Sequence, residues 1–396
     1  MSESVGTRPA SPLDTWALDP DVVHLNHGSF GGCPRAVVDA SLAIRARLEA
    51  APMRFYLLDW QRELDHARGA VATFVGADPA RLVFVPGATA GVAIALASAH
   101  LASGDEIVTT THVYPACKYQ LARLADRIGA RVVMVPVDLP FDPDAIVDAI
   151  AAAITPRTKL ALLDHVTSPT ALVLPIERLV PLFRARGIPV IVDGAHAPGQ
   201  IAIDVDAIGA SWYVGNHHKW MCAPKASGFL AIAADAVAQT QPLITSHGAS
   251  PAYGPANRLH AELDWSGTYD PSAQLAVPVA IDTIARMGDA LGAGAGGWPA
   301  VIARNHALAV AMRERLGGEL APAASIGTMA TVRIELPAGV AAPELEKQLL
   351  VEGWEVPIVA SPLGLFVRVS AHLYNHLDQI DALVAKLGSL GVRVTR

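Results

Sequence analysis

The chain has 396 residues, of which 52% are hydrophobic and 17% are charged, and its formal net charge is −7. This composition supports a large buried core and excludes an extended disordered chain. The acidic balance disfavours nucleic acid and anionic membrane surfaces as partners, and no apolar run reaches the roughly 18 residues that a membrane-spanning helix requires.

The first residues of the chain, 1–16, lack the basic start and apolar core of a secretory signal. The sequence contains three cysteines, Cys33, Cys117 and Cys222, and such a sparse, odd set is typical of a reducing compartment. We therefore expect a cytoplasmic protein. Its length exceeds what one hydrophobic core usually holds, so two domains are expected.

Short apolar runs alternate with longer helical patterns in the first two thirds of the chain. The runs that predict strands cover residues 81–85, 105–110, 131–137, 159–166, 188–195, 210–220 and 227–232. The helical patterns between them cover residues 87–101, 118–129 and 142–153. Continuous apolar strands separated by helices indicate an α/β fold, in which helices cover both faces of a mainly parallel sheet.

The pattern changes after residue 270. Helical patterns there cover residues 271–288, 299–317, 343–353 and 377–388, and strand patterns cover 329–337 and 365–371. The glycine-rich segment 291–299 contains a GxGxxG match, but it follows a helix, so we interpret it as an interdomain loop and not as a dinucleotide site. The sequence predicts a large α/β domain over 51–290 and a small α+β domain formed by 1–50 with 291–396.

The segment PGATAG, residues 86–91, follows a predicted strand and opens a predicted helix. Its backbone N–H groups and the hydroxyl of Thr89 would face an anion at the helix N-terminus. The alternative is an ordinary N-cap threonine, which is common, and the segment alone favours that alternative.

Asp193 and His196 belong to VDGAH, at the carboxyl end of an apolar strand. Open α/β sheets hold their ligands at this end, and a buried acid there requires a cation or a strong donor. The alternative is a helix-capping aspartate beside a surface histidine, and this segment alone favours neither.

Two histidines precede a lysine in GNHHKW, residues 215–220. A lysine among apolar neighbours has a lowered pKa and a nucleophilic amine, so Lys219 is a candidate for covalent chemistry; the alternative is a surface lysine on a turn. Because adjacent residues of an extended segment point to opposite faces, His217 and His218 are disfavoured as a zinc pair. We predict no metal site, since no metal-ligand spacing accompanies them.

Arg368 lies among apolar residues in LFVRVSA, residues 365–371. An arginine within such a strand requires an anion, either a substrate carboxylate or the partner of an internal salt bridge. A phosphate cradle, an acid, a reactive lysine and this arginine together are what pyridoxal phosphate chemistry on an amino acid requires. In that chemistry the lysine forms the imine and the acid keeps the pyridine nitrogen protonated.

Four longer segments are specific in combination: LNHGSFGGCP (25–34), NHHKW (216–220), WSGTYDPS (265–272) and VRVSAHLYN (367–375). Through them nearly the whole chain resembles the class V aminotransferase family of fold-type-I pyridoxal-phosphate enzymes, and within it the isopenicillin N epimerase-like branch. The resemblance implies a seven-stranded, mainly parallel sheet in the large domain. It also implies a homodimer with shared active sites.

The resemblance further implies how each matching residue holds the cofactor, pyridoxal 5′-phosphate. Lys219 matches the Schiff-base lysine, Asp193 the partner of the pyridine nitrogen and His196 the group near the ring hydroxyl. Further contacts are implied for Ser168 at the ring hydroxyl, Tyr114 rather than His112 on the ring face, and Ala88, Thr89 and His218 at the phosphate. Gly267 and Thr268 match a pair that reaches the phosphate from the other subunit.

On the substrate side, Arg368 matches the arginine that binds the α-carboxylate, and Asn26 and His27 match a segment near the substrate. The implied reaction begins with an external aldimine of an amino acid and loss of its Cα proton to the freed Lys219. We expect an epimerase or a β-eliminating C–S lyase; an epimerase needs an acid on the opposite face, for which Tyr114 and His27 are candidates.

Two alternatives remain open, an aminotransferase that passes the amino group to a keto acid and a catalytically silent pyridoxal-phosphate-binding protein. A cysteine desulfurase is disfavoured, because residues 354–368, where such relatives carry a loop cysteine, contain none.

Overall fold

A computed structural model describes residues 15–250, 255–292 and 296–395 of the chain. Most of the segment tested for a secretory signal, and residues 293–295 of the glycine-rich segment, lie outside the described residues. The N-terminal part consists of β1 (Val23–His24), α1 (His27–Phe30), α2 (Arg35–Ala50), α3 (Pro52–Arg54), a π-helical turn (Phe55–Asp59) and α4 (Trp60–Val75).

A seven-stranded sheet forms the centre of the molecule. Its strands are β2 (Leu82–Val85), β3 (Glu106–Thr110), β4 (Arg131–Val135), β5 (Thr158–Asp164), β6 (Val190–Gly194), β7 (Trp212–Asn216) and β8 (Gly228–Ile232). The order is β2-β8-β7-β6-β5-β3-β4, and among these strands only β8 runs antiparallel to its neighbours. The predicted α/β fold with a mainly parallel sheet is therefore confirmed, and the motif GNHHKW bridges the end of β7 and the turn that leads to β8.

Helices cover both faces of this sheet, which is why its central strands are apolar throughout. The helices are α5 (Ala88–Ser98), α6 (Pro115–Ile128), α7 (Pro143–Ala153), α8 (Ile176–Arg184), α9 (Val205–Ile208), α10 (Arg258–Leu263), α11 (Ser272–Leu275), α12 (Val277–Asp289) and α13 (Gly297–Leu316). In α6 the residues Cys117, Leu121 and Ala125 recur at a spacing of four and face the core. None of the described helices combines the length and the hydropathy needed to cross a bilayer.

The C-terminal part forms a second, antiparallel sheet. Its elements are β9 (Met329–Glu335), α14 (Ala342–Val351), β10 (Trp354–Glu355), β11 (Ile358–Ser361), β12 (Gly364–Ser370), α15 (Asp378–Ser389) and β13 (Arg393–Thr395). The strand order is β11-β12-β9-β13, while β10 pairs with β1 in a separate parallel ribbon.

The N-terminal segment contributes to two hydrophobic cores. Leu25 packs in the core under the small sheet, whereas Val37 and Leu48 of α2 pack in the core of the large sheet. The predicted division into 51–290 and 1–50 with 291–396 stays a prediction, and the packing places residues 35–50 beside the large sheet.

Candidate active site

A cavity of about 170 Å³ opens where β5, β6 and β7 end. Eight of the thirteen predicted site residues line it, namely Ala88, Thr89, Tyr114, Ser168, Asp193, His196, His218 and Lys219. A larger cavity of about 580 Å³ lies at the opposite end of β5. Its charged lining residues, Lys159 and Arg186, are exposed, so we place the chemistry in the smaller cavity, where the titratable groups are buried.

Lys219 and His196 contact each other inside the cavity. Lys219 Nζ lies 2.9 Å from His196 Nε2, and the indole N–H of Trp220 donates to His196 Nδ1 at 3.4 Å. Because an indole nitrogen only donates, the neutral imidazole carries its proton on Nε2 and donates it to Lys219. That bond requires a neutral amine, in agreement with burial, which lowers the pKa of Lys219 to about 7 and that of His196 well below its ordinary value.

Asp193 lies at the end of β6 with donors on both carboxylate oxygens. The backbone N–H of Ala195 donates to Oδ1 at 3.0 Å, and the thiol of Cys117 donates to Oδ2 at 3.3 Å. Burial raises the pKa of Asp193, while these donors and the positive charge of Lys219 oppose that rise. These contacts therefore stabilise the ionised form of Asp193, which burial alone would disfavour.

Asp164 is a second buried acid, one that was not among the residues predicted from the sequence. It ends β5 and pairs in register with Asp193 on the adjacent β6, and its side chain lines the same cavity. The backbone N–H of Tyr114 donates to its Oδ1 at 3.3 Å, whereas its Oδ2 is buried without a hydrogen-bond partner. The signal that identified Asp193, an acid at the carboxyl end of an apolar strand, also applies to Asp164.

The N-terminus of α5 forms one wall of the cavity. The backbone N–H of Ala88 donates to the amide oxygen of Asn216 at 2.8 Å, so this N–H is already occupied, and Thr89 is the exposed residue beside it. Asn216 also lines the cavity, and no signal in the sequence had singled it out. A Cβ on Gly228 would lie 2.7 Å from the carbonyl oxygen of Gly215, so the close approach of β8 behind this wall requires a glycine.

His218 lies near this wall with its ring half-buried. Its Nδ1 lies 3.3 Å from the carbonyl oxygen of Ser227, which only accepts, so Nδ1 carries the proton of the neutral ring. Burial lowers the pKa of His218 to about 4. An anion at the start of α5 would oppose that shift, because it favours the protonated ring.

The structure separates Tyr114 from His112. Tyr114 lines the cavity and is 38% exposed. His112 is buried outside it, with Nε2 at 3.1 Å from the carbonyl oxygen of Val137 and Nδ1 at 2.7 Å from the hydroxyl of Thr170. Of the two predicted candidates for the ring face, only Tyr114 therefore has access to the cavity.

Arg368 lies directly behind the cavity wall and is 3% exposed. It donates to the carbonyl and hydroxyl oxygens of Ser168, to the hydroxyl of Ser29 at 2.8 Å and to the amide oxygen of Asn26 at 3.1 Å. No carboxylate among the described residues lies within 4 Å of the guanidinium, so the internal salt bridge considered from the sequence is absent there. Burial lowers the pKa of Arg368 to about 10, and the negative charge of Glu346, which makes no ion pair with it, opposes that shift. The direct hydrogen-bond acceptors of the guanidinium are all neutral oxygens.

Besides Arg368 and its partner Asn26, three of the predicted residues do not line the cavity. His27 is buried between Tyr374 and the main chain of Lys219, with ring nitrogens 2.9 Å from the phenol oxygen and 3.1 Å from the carbonyl oxygen. Gly267 and Thr268 lie in the segment between α10 and α11, and Thr268 is exposed. Within one subunit they do not line the cavity.

A buried group of possible metal ligands lies behind Lys219. The ligand atoms of His27, Cys222 and His372 lie within 4.8 Å of one another. The Nε2 of His27 is already used by the carbonyl of Lys219, and burial raises the pKa of the Cys222 thiol well above its ordinary value. We interpret the group as neutral packing rather than as a metal site, since a metal requires a thiolate and free ring nitrogens.

Comparisons with known proteins place the chain in a family. The model of the family "Aminotransferase class-V" matches residues 33–287. Isopenicillin N epimerase of Amycolatopsis lactamdurans is 35% identical, with 98% of this chain and 99% of that protein covered. L-cysteine desulfhydrase of Arabidopsis thaliana is 30% identical, with 74% of this chain and 65% of that protein covered.

The solved structures agree on the fold. The cystine C–S lyase C-DES, in complex with its product cysteine persulfide, superposes with a TM-score of 0.78 at 20% identity, covering 93% of this chain and 97% of that one. The resemblance found in the sequence is thereby confirmed: the chain belongs to the class V aminotransferase family of pyridoxal-phosphate-dependent enzymes.

Proposed function

We propose that this pyridoxal-phosphate enzyme inverts the configuration of an amino acid at Cα, that is, it acts as an epimerase. The observation that carries the proposal is the position of Lys219, a buried amine whose pKa is lowered to about 7 and which lines the same cavity as Asp193 and Tyr114. In this cavity Lys219 can act as a base, Tyr114 can act as an acid, and Asp193 can balance the charge of a ring nitrogen.

The cavity fits pyridoxal phosphate by the chemistry of its donors and acceptors. The N-terminus of α5, with Thr89 and His218, would hold the phosphate, and Asp193 would face the pyridine nitrogen. The unpartnered Oδ2 of Asp164 leaves a buried polar atom that a bound ring system would cover. Lys219 lines the same cavity and supplies the reactive amine.

Pyridoxal phosphate, when bound, supplies an aldehyde that condenses with amines and a ring that withdraws electrons from Cα. Lys219 then acts as the base at Cα, because burial lowers its pKa to about 7 and a large share of the amine is therefore neutral near that pH. For inversion a second group must deliver a proton on the other face, and we assign this role to the Tyr114 hydroxyl. His27, the other candidate from the sequence, does not line the cavity, and both of its ring nitrogens are already hydrogen-bonded.

Arg368 binds the substrate carboxylate in this proposal. A fully buried guanidinium with only neutral acceptors is costly, and an incoming carboxylate would compensate its charge. Its partners Ser29 and Ser168 both line the cavity. Only these two serine side chains therefore stand between the guanidinium and the space where a substrate would bind. Binding would exchange one of these hydroxyl contacts for the carboxylate.

We also propose a homodimer in which Gly267 and Thr268 reach the partner's cavity. Apolar side chains are exposed close to this pair: Met53, Leu57 and Leu58 are 77%, 69% and 67% exposed. The ring of the neighbouring Tyr56 packs 5.4 Å from that of Trp265 and so joins the two segments. Exposed apolar surface of this kind is typical of subunit contacts. Leu57→Glu with Leu58→Glu should shift the sedimentation coefficient to that of a monomer.

Two experiments test the proposed function. Borohydride treatment of the full chain with pyridoxal phosphate should attach the cofactor to Lys219, and Lys219→Ala should lack both the adduct and the visible absorption band. Incubation with amino acids and amino-acid-containing peptides in deuterated buffer should then give Cα label with inverted configuration. A chain that binds no cofactor in the first experiment would refute the enzyme as proposed.

A C–S lyase is the second candidate, because L-cysteine desulfhydrases are among the relatives. Release of pyruvate and a thiol, without inversion of the remaining substrate, would favour it over the epimerase. Dependence of turnover on an added keto acid would instead identify an aminotransferase.

A further inference from the structure

The adjacent acids Asp164 and Asp193 differ in what surrounds their oxygens. Asp193 receives a backbone N–H and a thiol, at 3.0 and 3.3 Å, one on each oxygen. The carboxyl of Asp164 receives the backbone N–H of Tyr114 at 3.3 Å on Oδ1 and is also stabilised by its own backbone N–H, but its Oδ2 is buried with no partner. A carboxylate is stabilised by the donors it accepts, so the negative charge belongs on Asp193.

Two ionised carboxylates in register on neighbouring strands would repel each other in a buried site. The charged and titratable groups around Asp164 are Asp193 on β6, Cys117 on α6 and Lys219 after β7, with the Tyr114 N–H at the start of α6. Lys219 supplies at most one positive charge, and it is neutral for much of the time near pH 7. The surroundings therefore support one carboxylate and one protonated acid.

We propose that Asp164 is a second acid of the cofactor site, which keeps its proton beside the ionised Asp193 and donates it as a hydrogen bond to the bound ring. The proposal rests on the cofactor site described above. It explains why Oδ2 is buried yet unpartnered: a protonated Oδ2 is a donor whose acceptor arrives with the ligand. Burial and the charge of Asp193 both raise the pKa of Asp164 well above its ordinary value, which supports this assignment.

The first test requires no cofactor. Asp164→Asn has nearly the same shape but cannot ionise. A buried acid whose pKa is raised favours folding while protonated, and this contribution is lost as the pH rises from its unfolded value of about 4 toward its folded value. The thermal midpoint of the cofactor-free chain should therefore fall with pH more steeply in the wild type than in Asp164→Asn, and the gap between them should widen from pH 5 to pH 8. Parallel profiles would overturn the proposal.

The second test separates the two acids by titrating the full-length protein with pyridoxal phosphate. Asp164→Asn retains a donor and should bind within about threefold of the wild type, whereas Asp164→Leu has no donor and should bind about three- to tenfold more weakly, as expected for one hydrogen bond. Asp193→Asn removes the charge and should weaken binding by more than tenfold. Equal affinities of the Asn and Leu variants at position 164 would overturn the donor role.

The two tests also distinguish this proposal from the proposed function. If Asp193→Asn binds pyridoxal phosphate as well as the wild type, the assigned cofactor site is wrong, and the donor role of Asp164 is overturned with it. If Asp164→Asn loses the cofactor as Asp193→Asn does, the charge lies on Asp164 and the proposal fails while the site stands. A variant at position 164 that does not fold is replaced by Asp164→Thr, which keeps a hydroxyl donor and should reproduce the Asn profile.

Discussion

The backbone carbonyl of Lys219 lies 3.1 Å from Nε2 of His27, whose other ring nitrogen lies 2.9 Å from the hydroxyl of Tyr374. A carbonyl only accepts, so Nε2 carries the proton and Nδ1 accepts from Tyr374. Burial lowers the pKa of His27 to about 3, which keeps the ring neutral. A residue that the sequence placed near the substrate thus fixes the main chain at the reactive lysine.

Tyr374→Phe should destabilise the protein, because it leaves the buried Nδ1 of His27 without a donor. We expect the free energy of unfolding to fall by about 1–3 kcal/mol, measured by urea denaturation of the full chain. The control is Tyr119→Phe, which removes a hydroxyl from a side chain that is 70% exposed and should change stability by less than about 0.5 kcal/mol. Similar losses in the two variants would contradict the role of this bond.

Trp220→Phe should raise the pH at which Lys219 becomes reactive. In the wild type, the rate of pyridoxal phosphate capture should rise with pH and be half-maximal at about 7, because only the neutral amine attacks. Without the indole donor, His196 can carry its proton on Nδ1 and accept from the lysine ammonium. One such hydrogen bond should move the midpoint upward by about 0.4–1 pH unit in stopped-flow absorbance.

The matched control for this shift is Trp298→Phe, since Trp298 is also buried but donates to the carbonyl of Ile281, far from the cavity lining. Its midpoint should equal that of the wild type. A Trp220→Phe midpoint that also stays at the wild-type value would refute the tautomer assigned to His196.

Anion binding at the start of α5 should be coupled to protonation of His218. Its pKa is lowered to about 4 by burial, and a bound anion raises it, so the His218 ring takes up a proton when the anion binds. The affinity for sulfate, which does not titrate in this range, should therefore rise as the pH falls from 8 to 6, by up to about tenfold per unit. Calorimetry in a Lys219→Ala background removes the contribution of the lysine.

His218→Asn in the same background supplies the comparison. Asp164 and Asp193 are present in both proteins, so the difference between the two pH profiles isolates His218. Identical slopes would show that His218 does not contact the anion.

The strands could be predicted because most of them are continuous apolar runs between polar segments. The helix α4 was not predicted: Leu64, Ala67, Val71 and Val75 follow a helical period, but the buried Arg68 interrupts the apolar face. Its charge is balanced by Asp65, one turn earlier and partly exposed, and by the buried Asp264, which lies far along the chain. Such a partner cannot be identified from local pattern.

Some residues of the site could likewise be predicted from the sequence and others could not. Asp193 and Lys219 could be predicted because an acid and a lysine at strand ends carry a chemical signature. Asn216 could not, since a neutral amide becomes informative only when its contact with Ala88 is known. The environment of Arg368 was likewise inaccessible, because Ser168 and Asn26 are 200 and 342 residues away in the sequence.

The buried ion pair of Arg68 and Asp264, with 2.8 Å between nitrogen and oxygen, gives the last prediction. Arg68→Met preserves much of the side-chain volume but leaves the carboxyl of Asp264 buried without its cation. Breaking a buried pair in this way should cost about 3–5 kcal/mol in urea denaturation near pH 8. The control, Arg315→Met, breaks a half-exposed pair with Asp381 and should cost at most about 1 kcal/mol.

The pH dependence of this loss has a defined sign. Burial already raises the pKa of Asp264, and Arg68 opposes that rise, so removing Arg68 raises the pKa further. A raised pKa means that the folded state is favoured while the acid is protonated and loses that advantage as the pH increases. The deficit of Arg68→Met relative to the wild type should therefore grow between pH 5 and pH 8. A deficit that is the same at both values would mean that Arg68 stabilises the fold through packing on Phe84 and its bond to the Leu82 carbonyl rather than through charge.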